Sequence, residues 1–184
     1  MRATLWIALL LVACAGAPPP APFDDLVGRA DVVTRTNLHP DEARARLFTT
    51  NYQQDGLIPV CASVTLLERN AELLRFRVEA SGKTYEYYYH KAAGEPFPEH
   101  LARVFGTECP RAELDALPEI DQRGLSLGKP LVGMSKQGVL FALGYPPRHV
   151  TPSLDALRWI YWLNRFDRIA VIFDDGGHVV SVQN

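Results

Sequence analysis

Residues 133–146 read Gly-Met-Ser-Lys-Gln-Gly-Val-Leu-Phe-Ala-Leu-Gly-Tyr-Pro, and this stretch does most to decide the fold of the chain. Its serine can accept a hydrogen bond from the free N–H groups in the first turn of a helix. Gly144 can adopt the positive φ that ends a helix, and the proline after Tyr145 cannot continue one. The stretch therefore predicts a short helix over residues 136–143.

Three segments with alternating apolar residues follow, at residues 157–164, 169–174 and 179–182. A period of two is typical of strands that bury one face. The Asp-Asp-Gly-Gly sequence at residues 174–177 favours a tight turn between the last two segments. We expect a three-stranded antiparallel sheet whose Trp159 face packs against the helix.

The opposite face of this sheet carries Ile160, Trp162 and Ile172. Two interpretations are open for these apolar side chains. The face docks against the preceding part of the chain, which we favour, or it is an apolar patch that contacts a partner protein. The three residues are therefore the candidate partner contacts.

This arrangement resembles the SmpA/OmlA (BamE-like) lipoprotein domain over about residues 129–184. The resemblance rests on the order and spacing of short motifs: Gly-Met-Ser at 133–135, Val139, Ala-Leu-Gly at 142–144, Pro146, Trp-Ile-Tyr at 159–161, Val-Ile-Phe at 171–173 and Gly-His-Val at 177–179. It implies a small outer-membrane lipoprotein that assists the β-barrel assembly machinery and helps to maintain the envelope.

One departure from the family concerns the chain before the Gly-Met-Ser turn. Members usually have a helix there, whereas Gly124, Gly128 and Pro130 disfavour one in this sequence. We therefore expect residues 111–128 to be a linker with at most one helical turn, near residues 112–116.

The earlier segment, residues 31–110, lies outside the resemblance and alternates between apolar and polar residues. The alternation is clearest at residues 60–67, 74–79 and 83–90, with weaker strands near residues 32–36 and 46–50. We expect an SH3-like antiparallel β meander or barrel. A short helix should begin at Pro98 and end at Gly106.

The N-terminus predicts export and lipidation. Residues 1–13 carry one early positive charge and then an apolar run, which is typical of a signal peptide. Leu-Val-Ala-Cys at residues 11–14 resembles the lipobox of bacterial lipoproteins, in which the thiol of Cys14 would carry the lipid. The proline-rich residues 14–30 would be an extended tether. Because alanine, and not aspartate, follows the cysteine, the resemblance implies sorting to the outer membrane, with the folded part facing the periplasm.

The two remaining cysteines, Cys61 and Cys109, form an even pair in an oxidising compartment. We expect a disulfide between them, and the alternative is two buried free thiols.

The composition and the remaining motifs exclude several kinds of chemistry. The chain has 184 residues, 19 basic and 21 acidic, so its formal charge of −2 gives no basic surface for nucleic acid. The five histidines show no metal-ligand spacing, and we expect no cofactor and no metal. Gly-Leu-Ser-Leu-Gly at residues 124–128 matches the nucleophile motif of hydrolases, but the strand and helix that this motif needs are not predicted.

The leading hypothesis is a non-enzymatic, lipid-anchored envelope protein that acts through protein contacts, with β-barrel assembly components as candidate partners. The alternative is a peptidoglycan-binding module that uses a tyrosine-rich strand face around Tyr85, Tyr87 and Tyr89, although we expect these rings to be core. A hydrolase that uses Ser126 is the third hypothesis.

Overall fold

The computed structural model describes residues 23–184, apart from the side chain of Asp24. The predictions that concern the signal peptide, Cys14 and the first part of the tether lie outside these residues. The prediction of an extended tether up to residue 30 is wrong from residue 23 on, because Phe23–Leu26 form a 3-10 helix and bury Phe23 and Leu26 in the core. The fold is mixed α+β, with a six-stranded sheet, a separate three-stranded antiparallel sheet and several helices. We call residues 23–110 the N-terminal unit and residues 111–184 the C-terminal unit.

The elements of the N-terminal unit are mostly strands. Short 3-10 helices at Phe23–Leu26 and Lys91–Ala93 accompany β1 (Val32–Thr34), β2 (Arg46–Phe48), β3 (Ser63–Arg69), β4 (Leu73–Val78), β5 (Thr84–Tyr88), α1 (Phe97–Val104) and β6 (Phe105–Gly106). The C-terminal unit consists of α2 (Arg111–Asp115), α3 (Glu119–Leu127), α4 (Lys136–Leu143), β7 (Arg158–Trp162), β8 (Arg168–Phe173) and β9 (Val179–Gln183).

The six-stranded sheet has the order β2-β5-β4-β3-β1-β6. Its centre, β3-β4-β5, is the antiparallel meander that the alternating pattern predicts. The expectation of an entirely antiparallel segment is wrong, because β2 pairs with β5 in parallel. Residues 35–45 carry the chain from one side of the meander to the other, so that β2 reaches the free edge of β5 running in the same direction.

Helix α1 covers the core of this sheet. It buries Phe97, Leu101 and Val104 among the apolar side chains of the strands. The predicted end at Gly106 is wrong. The helix ends at Val104, because Phe105 takes an extended conformation, and Gly106 belongs to β6 and pairs with Val33 of β1.

The helical turn predicted near residues 112–116 is present as α2, but the rest of the predicted linker at residues 111–128 is wrong, because the chain there forms α3. Gly124 does not break α3 because it fills a packing role: a Cβ atom at this position would lie 2.1 Å from the sulfur of Met134. Gly128, with φ of 60°, ends the helix. A helix therefore precedes the Gly-Met-Ser turn after all.

The C-terminal sheet and its helix have the predicted arrangement. The side chain of Ser135 accepts a hydrogen bond from the backbone N–H of Gly138, and α4 ends before Gly144, whose φ is 74°. The sheet order is β7-β8-β9 with antiparallel pairing throughout. Val139 and Leu143 pack in one buried cluster with Trp159 and Val171, as predicted.

The structure joins Cys61 and Cys109 in a disulfide. The two cysteines are 48 residues apart in the chain, and their Cα atoms lie 5.1 Å apart. On the chain-entropy argument, a bridge over a loop of this length stabilises the folded state by about 4 kcal/mol. The bridge ties the segment before β3 to the end of the N-terminal unit, directly before α2 begins.

The glycine in the first turn of α4 is required by its surroundings. The carboxylate of Asp121, which is fully buried, accepts hydrogen bonds from the backbone N–H and the hydroxyl of Ser135 at 2.8 and 2.5 Å. A Cβ atom on Gly138 would lie 2.3 Å from Cγ of this carboxylate. Asp121 and Gly138 therefore occupy adjoining space, and α3 can approach the start of α4 only if that position has no side chain.

We predict that Gly138→Ala destabilises the protein, although alanine is the better helix former by about 1 kcal/mol. The added methyl group displaces the Asp121 carboxylate, and overpacking of this kind costs about 1–3 kcal/mol. Urea unfolding followed by circular dichroism measures the change. Gln137→Ala, at an exposed position in the same turn, is the control and should change the free energy of unfolding by less than about 0.5 kcal/mol. Equal or greater stability of Gly138→Ala would contradict the packing argument.

Candidate functional site

The face that carries Ile160, Trp162 and Ile172 is partly covered by the chain itself. Ile160 is 9% exposed, and its backbone N–H donates to the hydroxyl of Thr151 at 2.9 Å. Trp162 is half-buried, and the backbone of Gln53 from the N-terminal unit donates to its carbonyl at 2.7 Å. At the edge strand β7, the backbone of Trp162 therefore contacts the preceding part of the chain, as the favoured interpretation expects, while Trp162 and Ile172 keep partly accessible side chains.

Trp162 makes two further contacts. The ring of His149 stacks on the ring of Trp162 with centroids 6.2 Å apart, and Tyr52 forms an isolated parallel bridge with Trp162. Ile160 is therefore a poor candidate for a partner contact, because its side chain offers almost no accessible surface. Ile172 and Trp162 keep partial exposure.

Ser126 is not placed as a hydrolase nucleophile. It lies inside α3, and its hydroxyl donates to the backbone carbonyl of Arg123 at 2.9 Å. The motif needs a sharp turn between a strand and a helix, and here residues 124–127 are helical. His178 lies in the turn before β9, where its ring nitrogen is 3.8 Å from Asp174.

The tyrosines of β5 form core and not an open groove. Tyr85 and Tyr87 are 4% and 3% exposed, and Tyr85 stacks on Phe76 with ring centroids 5.6 Å apart. The prediction that these rings are core is confirmed. Tyr88 and Tyr89 are half-buried.

A cleft of about 330 Å³ lies at the junction of the two units. Arg35 follows β1, Arg103 comes from α1, and Glu113 lies in α2. The remaining lining is largely apolar and comes from both units: Thr36, Pro110, Gln137, Leu140, Phe141 and Tyr145. We call this feature the junction cleft.

Arg103 is held in place beside the junction cleft by two partners. It forms an ion pair with Glu95, and its guanidinium lies over the ring of Tyr145, 4.4 Å from the centroid. Such a cation–π contact adds to the stability of the arginine's position. Glu95 itself is buried and also lies near Arg148, at 3.5 Å.

A chain of hydrogen bonds extends from Glu95 into the core of the N-terminal unit. The carboxylate is 2.8 Å from Nδ1 of His100, and Nε2 of His100 is 2.7 Å from the hydroxyl of Tyr87. A neutral imidazole that is protonated on Nδ1 satisfies both contacts, because it donates to Glu95 and accepts from Tyr87.

The pKa values in this chain follow from burial and charge. Burial lowers the pKa of His100 more than its hydrogen bond with Glu95 raises it, so the imidazole stays neutral. Burial raises the pKa of Glu95, but the hydrogen bond with His100 and the charges of Arg103 and Arg148 outweigh it, so the net pKa is lowered. Desolvation raises the pKa of Tyr87. Glu95 is therefore an anion that fixes Arg103.

These residues bring together charges that the sequence pattern does not connect. The alternating pattern marks Tyr87 as core, but nothing in the spacing places Glu95, His100 and Arg103 beside residues of α4. One local signal exists: His100 and Arg103 are three apart and share one face of α1. The arrangement can hold an anionic group near the arginines. The carboxylate of Glu95 already forms ion pairs with Arg103 and Arg148.

The described part of the chain shows neither a metal-binding cluster nor a membrane-spanning helix. Within residues 23–184, no cluster of three or more histidine, cysteine, aspartate or glutamate side chains is arranged to hold a metal ion. No helix in that range has the length and apolar character needed to cross a membrane.

Comparison with protein-family models, with curated proteins and with solved structures found no match to this chain.

The lowered pKa of the buried histidines predicts a pH dependence of stability. Burial also lowers the pKa of His39. Below about pH 6.5 the unfolded chain binds protons at both histidines while the folded chain does not, so the free energy of unfolding falls as the pH falls. Each neutral histidine contributes a slope of up to about 1.4 kcal/mol per pH unit.

The measurement is urea unfolding at pH 7.5 and at pH 5.5 for the parent protein and for His100→Gln. We expect the variant to lose less stability between the two pH values than the parent does. His178→Gln, at an exposed position in a turn, is the matched control and should leave the slope unchanged. An equal slope in the parent and in His100→Gln would contradict the neutral, buried imidazole.

Proposed function

We propose that the protein is a lipid-anchored, periplasm-facing protein of the bacterial outer membrane that acts through protein contacts in envelope assembly or maintenance. The observation that carries this proposal is the apolar N-terminal run that ends in Leu-Val-Ala-Cys at residues 11–14 and is followed by a proline-rich segment. The disulfide between Cys61 and Cys109 supports it, because such bridges persist in compartments outside the cytoplasm.

We further propose that residues 129–184 form a BamE-like domain. The order of helix and three-stranded antiparallel sheet supports this assignment. Helix α3 supports it as well, because it supplies the element before the Gly-Met-Ser turn that the sequence did not predict. On this proposal, β-barrel assembly components are the candidate partners.

The peptidoglycan alternative has less support from the site. We propose an SH3-like character for the N-terminal unit on the strength of its central meander and its added helix. However, the tyrosine face that would stack on sugars is part of the core at Tyr85 and Tyr87. We therefore keep protein contacts as the proposed mode of action, and a non-enzymatic role with it.

Lipidation predicts that Cys14→Ser removes the protein from the membrane fraction or leaves it with its signal peptide attached. Acyl chains on the cysteine are what hold the parent protein at the bilayer, and several chains give stable anchoring. The measurement is cell fractionation with mass spectrometry of the mature N-terminal peptide. Cys61→Ser with Cys109→Ser is the control, because it removes two other thiols and should keep the protein in the membrane fraction.

The absence of any acyl mass on Cys14 in the parent protein would contradict the anchoring proposal. The contact part is tested by crosslinking in intact envelopes. We expect an envelope protein that crosslinks to the parent chain and not to Cys14→Ser, because only the anchored protein lies at the membrane surface. Crosslinking to peptidoglycan alone would instead favour the alternative.

A further inference from the structure

We propose that the junction cleft binds a ligand that has a free carboxylate beside an apolar side chain, as the last residue of a polypeptide does. The proposal goes beyond anchoring and does not depend on it, because every residue that it uses lies in the described part of the chain. The volume of the junction cleft, about 330 Å³, is within the range of ligand pockets, about 300–1,000 Å³.

Arg35, at the junction cleft, has unused hydrogen-bonding capacity. It is exposed, and the hydrogen bond that it makes through Nη1 to the backbone carbonyl of Ala102 is long, at 3.4 Å. Among the described side chains, no carboxylate pairs with it. The arginine stem packs over Gly106, where a Cβ atom would lie 3.0 Å from its Cδ. The guanidinium is therefore positioned at the cleft without an acidic partner.

The second cation that lines the cleft is Arg103. Arg103 is fixed by Glu95 and Tyr145, so it presents its charge without having to be ordered by a ligand. Preorganised groups of this kind lose less freedom on binding. Two arginines at one cleft match a carboxylate, since the guanidinium fork donates to both oxygens of that group.

Two further polar side chains, Glu113 and Gln137, line the cleft. Glu113 and Gln137 are joined by a hydrogen bond of 2.8 Å, from the amide of Gln137 to the carboxylate of Glu113. This carboxylate and the amide oxygen can accept an N–H group of a ligand. The same negative charge repels any anion, and it repels a doubly charged phosphate more strongly than a singly charged carboxylate.

Apolar side chains form the rest of the lining that a ligand would contact. Phe141 is 8% exposed, Leu140 is half-buried, and Pro110, at the start of α2, also lines the cleft. An apolar side chain of a ligand that enters the cleft would bury its surface away from water, which favours binding. The cleft thus offers cations for a carboxylate, an acceptor for the neighbouring N–H and an apolar surface for the side chain. A free apolar amino acid shares this chemistry with a polypeptide terminus.

The test is isothermal titration calorimetry. The peptide N-acetyl-Gly-Gly-Phe, with a free terminal carboxylate, is titrated into the full chain in detergent. We expect binding that weakens at least tenfold when the same peptide carries a terminal carboxamide, and at least tenfold in Arg35→Gln. Arg111→Gln is the matched control: it makes the same charge change on α2 outside the cleft lining, and it should bind as the parent does. Free phenylalanine is titrated as the second source of the same chemistry.

A peptide that binds at least tenfold more tightly than phenylalanine supports a polypeptide terminus as the ligand, and equal binding supports a small carboxylic acid. Equal binding of the acid and the carboxamide would overturn the proposal. So would an equal loss in Arg35→Gln and Arg111→Gln, or displacement of the peptide by equimolar inorganic phosphate. Because Arg35 is exposed, the unfolding midpoint of its variant should match that of the parent, which separates loss of binding from loss of folding.

Discussion

The carbonyl end of α4 is capped by donors from the N-terminal unit, and the rest of the structure depends on these hydrogen bonds. The backbone N–H of Asn37 donates to the carbonyl of Phe141 at 2.8 Å, and Nε2 of His39 lies 2.8 Å from the carbonyl of Ala142. The amides of Asn51 and Gln53 donate to the carbonyl of Leu143 at 2.8 and 3.1 Å. The last carbonyls of a helix have no partner within it, so the N-terminal unit completes the helix of the C-terminal unit.

The other end of α4 is completed from α3, by the Asp121 carboxylate that holds Ser135. An isolated helix of this length is marginal in water, because its nucleation cost exceeds what a few hydrogen bonds return. Both ends of α4 are therefore fixed by other parts of the chain, while its apolar side faces Trp159. Asn37 adds a further connection, since its side chain donates to Leu125 and accepts from Val60, both at 2.8 Å. The junction cleft has fixed walls because they belong to this shared structure.

The sequence predicted those elements whose pattern is local. The Ser135 cap, the end of α4 before Gly144 and the alternation around Trp159 are each decided by neighbouring residues, and they have the predicted form. The helix α3 was missed because the role of Gly124 depends on Met134, which packs against it from ten residues away. The parallel pairing of β2 was missed for a similar reason, because alternation shows that a strand exists and not which neighbour it finds. The candidate site depends on contacts between the two units, and a pattern along the chain does not contain them.

Both units should unfold as one body, because the N-terminal unit caps α4. Native-state hydrogen exchange of the parent protein and of Asn37→Ala tests it most directly, by comparing amides of β3–β5 with amides of α4 and β7–β9. The account predicts that both groups of amides open with the same free energy, and that Asn37→Ala lowers both equally, by about 1–3 kcal/mol. A separate, lower free energy of opening for the C-terminal amides, or a loss confined to one unit in the variant, would contradict it.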